Sequence, residues 1–150
     1  MNPPDGLLAP PCPTSWWAKQ RHFVVYHSRE KMGEDSKPFQ LYTNKTVDNG
    51  SLIWTIEGTG KRPTHFTLNC VFIVTTVEEP SPHPDFHWAA YGSKERGHHF
   101  QPHIPLNELE WFPAFRSHMG NFGFGLHPLL EEKYINELVR IAEREGVMLT

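Results

Sequence analysis

The chain has 150 residues, a formal net charge of −3, fourteen prolines and an aromatic content of 13%. A length of this order fits one domain, which buries roughly 70% of its unfolded surface. High aromatic content with a small net charge excludes a disordered chain, and the acidic balance excludes a general basic nucleic-acid coat, though not a local basic patch. The ten histidines move the net charge upward below neutral pH.

Residues 1–15 read as a Pro-rich arm, with Pro3, Pro4, Pro10, Pro11 and Pro13. Proline lacks an N–H and fixes φ, so no helix or central strand is expected there. The arm has no basic start and no long apolar core, so no signal peptide is expected. No apolar run of about 18 residues predicts a membrane span. The expected location is the cytoplasm. Cys12 and Cys70 fit no disulfide framework and no cysteine-based zinc site.

The globular domain is expected over residues 16–150. His22–Ser28 (HFVVYHS) reads as a buried strand, and Phe39–Thr43 as a second after a polar loop. Asp48–Gly50 is a turn signal. Ser51–Glu57 (SLIWTIE) places Leu52, Trp54 and Ile56 on one strand face and Ile53 on the other. His65–Val77 carries the longest β signal; strict alternation puts Phe66, Leu68, Cys70, Phe72 and Val74 on one face. A strand this long is expected to bend and to serve two sheets or a barrel.

Glu78–Phe86 is a Pro-rich loop, His87–Tyr91 a short strand or helical turn, and Gly92–Gly97 a charged loop. Phe100–Ile104 reads as a possible strand. Asn107 suits a helix N-cap, with a helical turn to Trp111 that Pro113 interrupts or restarts. Gly120–Leu126 (GNFGFGL) cannot be a regular helix. Leu130–Gly146 reads as an amphipathic helix with Ile135, Leu138, Val139 and Ala142 as its core stripe. The fold class is therefore α+β, a compact twisted β-barrel with flanking short helices and a C-terminal amphipathic helix.

For chemistry, His98, His99 and His103 are close in sequence but match no standard zinc spacing, so neither metal nor cofactor is expected. Cys70 reads as a core thiol. Trp54, Trp88, Trp111, Asn121 and Phe122 are the candidate base-binding residues, through stacking and through the amide edge. Lys61, Arg62, Lys94 and Arg96 fall on predicted loops and are the candidate phosphate contacts.

The order of an aromatic-rich start, HFVVYHS, a turn into SLIWTIEG, the long FTLNCVFIVTTV and a closing helix resembles the PUA-like superfamily of small β-barrels. That superfamily includes EVE, YTH and ASCH domains, and the resemblance covers residues 16–145 in broad order. The Gly-Asp pair typical of EVE-type domains is Gly50–Ser51 here, and no pocket residue carries over singly. The resemblance implies a non-catalytic module that binds RNA or DNA, with a modified or flipped base held in an aromatic pocket. Two alternatives stay open. One is a His-assisted hydrolase or nuclease using His98, His99, His103 and Glu95 or Glu108, which requires two histidines and a carboxylate to converge. The other is a protein-interaction domain using the arm or an exposed aromatic patch.

Overall fold

The structure is a computed structural model and describes residues 17, 20–28, 37–120 and 126–149. The predicted arm, and Asn121 and Phe122, lie outside the described residues.

The chain is a mixed α+β fold with strands predominating. In chain order the elements are β1 (His22–Ser28), β2 (Gln40–Thr43), β3 (Leu52–Thr59), β4 (His65–Ile73), β5 (Thr76–Glu78), β6 (Trp88–Tyr91), a 3-10 turn at Lys94–Arg96, β7 (Gly97–Pro105), α1 (Phe112–His118), β8 (Leu126–Leu129) and α2 (Glu132–Arg144). A five-stranded sheet runs β7-β4-β3-β1-β8, and a three-stranded sheet runs β2-β6-β5. The β1–β3 pair is parallel, and the other pairs are antiparallel. No closed barrel is found among the described residues; their strands form two sheets.

Both faces of the large sheet are covered, which is why β1 and β3 read as nearly continuous apolar runs. One face carries Val24, Leu52, Trp54 and Ile56 and packs against Phe112, Phe115, Leu138, Val139 and Ala142 of the helices. The opposite face carries Phe23, Val25, Ile53 and Phe72 and packs against Leu41 and Ala90 of the small sheet.

The long β signal divides. Its first part is β4 in the large sheet; after Ile73 the chain leaves for β5 in the small one. The expected single face of β4 is not observed. Thr55 pairs with Cys70 and Ile56 with Leu68, so Asn69 is an extra residue that makes a bulge. The bulge reverses the alternation. Phe66 and Leu68 face the helices, whereas Cys70, Phe72 and Val74 face the small sheet.

Other expectations shift by a few residues. The Asp48–Gly50 turn forms, with Gly50 at φ 89°. Asn107 does not cap a helix. Its Oδ1 accepts the Phe66 N–H at 2.7 Å and its Nδ2 donates to the Thr64 carbonyl at 2.9 Å, tying the loop to the start of β4. The helix restarts at Phe112 with Pro113 in its first turn, where a missing N–H costs nothing. The sequence conceals β8 because Pro128 argues against a central strand; β8 is an edge strand, where proline is tolerated. α2 is shorter than Leu130–Gly146 but ends as expected, with Gly146 at φ 79°. Among the described residues no helix is long and apolar enough to cross a membrane.

Candidate functional site

The large sheet changes character along one face. On the face that meets the small sheet, β1 runs Phe23, Val25, His27 and β3 runs Ile53, Thr55, Glu57. These strands are parallel and in register, with His27 opposite Glu57, and Glu57 opposite Thr67 of β4. Residues opposite one another share a face. The face is therefore apolar toward one end and polar toward the end where the β3–β4 hairpin turns. His27 and Glu57 are buried, Glu57 at only 4% exposure.

β7 brings more polar groups to this end. His103 Nδ1 lies 3.7 Å from Glu57 Oε1 and 3.4 Å from Thr67 Oγ1. His103 Nε2 lies 3.4 Å from His99 Nε2, and His99 Nδ1 lies 3.4 Å from the Gln101 carboxamide. With both rings neutral, one N–H is shared between the two Nε2 atoms and the His103 Nδ1–H points to Glu57 and Thr67. Burial, and then the neighbouring His103 and His98, hold the His99 imidazole below its ordinary pKa, against the opposing pull of Glu57. Burial pushes His27 down to about 4, so it is neutral near pH 7.

A cleft of about 340 Å³ opens at the same end, lined by Pro63, His65, Phe66, Thr67, Pro105 and neighbouring Asn107 and Glu108. Thr67 belongs to both the cleft and the histidine cluster. The hairpin turn beside it carries Lys61 and Arg62, both exposed.

The sequence-predicted site residues do not gather in one place. Trp54 is fully buried, and its Nε1–H donates to His22 Nδ1 at 3.0 Å. His22 is buried too, and its Nε2–H donates to the Trp17 carbonyl at 2.8 Å. Burial lowers the His22 pKa and favours this neutral, two-bond role. Trp54 is thus a core residue with no open face for a base. Trp88 lies on β6 in the small sheet, edge-on to His87. Trp111 precedes α1 and packs edge-on to Phe115. None of these three tryptophans lines the 340 Å³ cleft.

The four basic candidates divide as well. Lys61 and Arg62 precede His65, while Lys94 and Arg96 adjoin Gly97, which pairs with Phe72. At about 3.3 Å per strand residue the two pairs are roughly 20 Å apart along β4. No family model matches the chain, and a comparison with curated proteins finds no match.

Among the histidines, His99 and His103 meet, whereas His98 packs against the Phe100 ring. The carboxylate that joins them is Glu57, in place of Glu95 or Glu108. The sequence reading missed Glu57, His27 and Thr67. One signal was available for Glu57: a charged residue in a strand whose other members are buried on both faces is an exception to burial statistics. Cys70 is buried, and burial pushes its thiol up to about 11, which leaves it unreactive. Among the described residues no group of three or more His, Cys, Asp or Glu side chains surrounds one metal position.

Proposed function

We propose that this domain is a non-catalytic nucleic-acid-binding module that reads a base at the hairpin end of the five-stranded sheet. The observation that carries the reading is the cleft of about 340 Å³ at this end, where Thr67 stands beside His103, itself held near the buried Glu57, and where Lys61 and Arg62 are exposed. The Thr67 hydroxyl can donate and accept, and a neutral imidazole offers one donor and one acceptor, to the edge of a base. Lys61 and Arg62 would take the adjoining phosphates. Trp88 and Trp111, which do not line the cleft, and Phe122 remain proposed stacking residues, and Asn121 a proposed amide contact. A PUA-like barrel, with the two sheets as its walls, belongs to this proposal, as does action in the cytoplasm.

Anisotropy titrations of plain and methylated RNA and DNA oligonucleotides, single- and double-stranded, test it at about 50 and about 200 mM salt. Binding at low salt that weakens with salt, and that Glu57→Gln impairs, is the expected result. Absence of binding by every oligonucleotide at low salt overturns it.

One observation favours a second reading, a His-assisted hydrolase. Two histidines and a carboxylate do converge, as His99, His103 and Glu57. A histidine oriented by a carboxylate is suited to remove a proton from water. Turnover of a chromogenic phosphodiester that His103→Ala abolishes would establish it; no turnover by the folded protein would dismiss it.

A further inference from the structure

β7 is an edge strand whose ladder with β4 is interrupted. Cys70 pairs with His99 and Leu68 with Ile104, so β4 advances two residues while β7 advances five. The surplus residues of β7 form a bulge in the ladder. Side chains four apart on a regular strand stand about 13 Å from one another, yet the His99 and His103 ring centroids are 5.4 Å apart. Their Nε2 atoms face each other at 3.4 Å. The second nitrogen of each ring is already engaged, His103 Nδ1 by Glu57 and Thr67, and His99 Nδ1 by Gln101.

We propose that His99 and His103 clamp a single borderline divalent transition-metal ion, such as zinc, between their Nε2 atoms. Tetrahedral zinc with bonds of about 2.0–2.1 Å to nitrogen sets neighbouring nitrogens about 3.4 Å apart. The two rings already hold that spacing, and the ion enters once each ring turns its Nε2 lone pair from the other nitrogen toward the shared ion. Thr67 accepts the Nδ1–H of His103 and Glu57 lies 3.7 Å from the same nitrogen, the kind of outer arrangement that fixes tautomer and ring orientation in metal-bound histidines. The Gln101 carboxamide turns its oxygen to the Nδ1–H of His99. The proton shared between the two Nε2 atoms moves to His99 Nδ1, and both imidazoles bind neutral with no proton released. Two protein ligands, one fewer than the three of catalytic zinc sites, leave the other positions of the ion to water or to an oxygen of a bound ligand. An all-imidazole pair selects against magnesium and calcium, which prefer oxygen. This site stands independently of nucleic-acid binding.

Calorimetric titration of the chelator-treated full chain with zinc chloride tests the clamp without any nucleic acid. The expected result is one zinc per chain, no response to magnesium, and at least a tenfold loss of affinity in His99→Ala and in His103→Ala. Glu57→Gln, acting through His103, is expected to weaken binding about tenfold, and His83→Ala to leave it unchanged. Nitrogen-15 spectra of the unmodified protein provide a readout that needs no variant, because zinc must shift the Nε2 signals of two histidines that assignment identifies as His99 and His103. No saturable zinc binding, affinity that both alanine variants leave intact, or unmoved His99 and His103 signals would each overturn the proposal; the last two would leave a direct N–H···N bond as the meaning of the close approach.

Discussion

The buried histidines of β1 make stability depend on pH in the histidine range. His27 is 9% exposed, and among the described residues nothing bonds to its Nδ1. A protonated ring would carry a buried donor there with nowhere to go, and burial pushes the pKa from 6.5 to about 4. In the unfolded chain the ring keeps its ordinary value. Between the two values the unfolded chain binds a proton that the folded chain refuses. Stability is therefore fully present above about pH 6.5, falls as pH drops through that value, and stops falling from this source near pH 4. The gap amounts to roughly 3 kcal/mol in all, of which about 2 kcal/mol is lost by about pH 5. Burial lowers His22 as well, so it adds in the same direction. The assay is urea unfolding of the native chain and His27→Gln at several pH values from about 7.5 to about 5. The native chain should lose stability over that interval, and the variant, whatever its stability at neutral pH, should lose about 2 kcal/mol less. Parallel curves for the two proteins would refute the reasoning, because the proton uptake would then belong elsewhere.

Four further outcomes test separate parts of the structure. Trp54→Phe removes the donor to His22 Nδ1 and leaves a small void, so it should destabilise by about 2–3 kcal/mol in urea while leaving oligonucleotide affinity of the folded protein unchanged. A Cβ at Gly58 would collide with the Tyr26 hydroxyl, so Gly58→Ala should cost about 1–3 kcal/mol, and Gly58→Ala with Tyr26→Ala should cost less than the sum of the two singles. Lys61→Ala with Arg62→Ala should reduce the salt slope of nucleic-acid binding by about one for every phosphate no longer neutralised, whereas Lys94→Ala with Arg96→Ala, at the far end of β4, should leave it unchanged. Deleting Asn69 removes the bulge and turns either Phe66 and Leu68 or Cys70 and Phe72 to the wrong face; the expected result is loss of cooperative unfolding by circular dichroism.

The parts of the fold legible in the sequence are those fixed by local pattern. β1 and β3 are legible because strands covered on both faces need an apolar residue at nearly every position. α2 is legible from its stripe, since Leu138, Val139 and Ala142 all reach the core. The turn at Gly50 is legible because few residues accept positive φ. The faces of β4 were not, because a bulge leaves no mark in composition: Asn69 looks like an ordinary outward polar residue until its pairing is known. Nor was β8, whose Pro128 reads as a break unless the strand is known to be at an edge. Trp54 was misplaced for a related reason. Period-2 alternation says which residues share its face, and says nothing of the buried His22 that takes its N–H.

The candidate site was the least legible part, because pairing between strands builds it rather than spacing along the chain. His27 and Glu57 are thirty positions apart, and each closes a run whose earlier same-face members, Phe23 and Val25 in one strand and Ile53 in the other, belong to the core. Parallel pairing in register sets the two polar residues at the same height, so two unremarked exceptions to alternation become one polar row. Thr67 extends that row across β4. The irregular pairing of β7 then delivers His99 and His103 to it from a spacing of four, which a regular strand would have spread well beyond contact. A buried carboxylate is tolerated only where partners reach it, and the fold of β7 is what supplies one. A β7 returned to regular pairing with β4 would draw His103 away from Glu57 and Thr67 and take the end of this polar row apart.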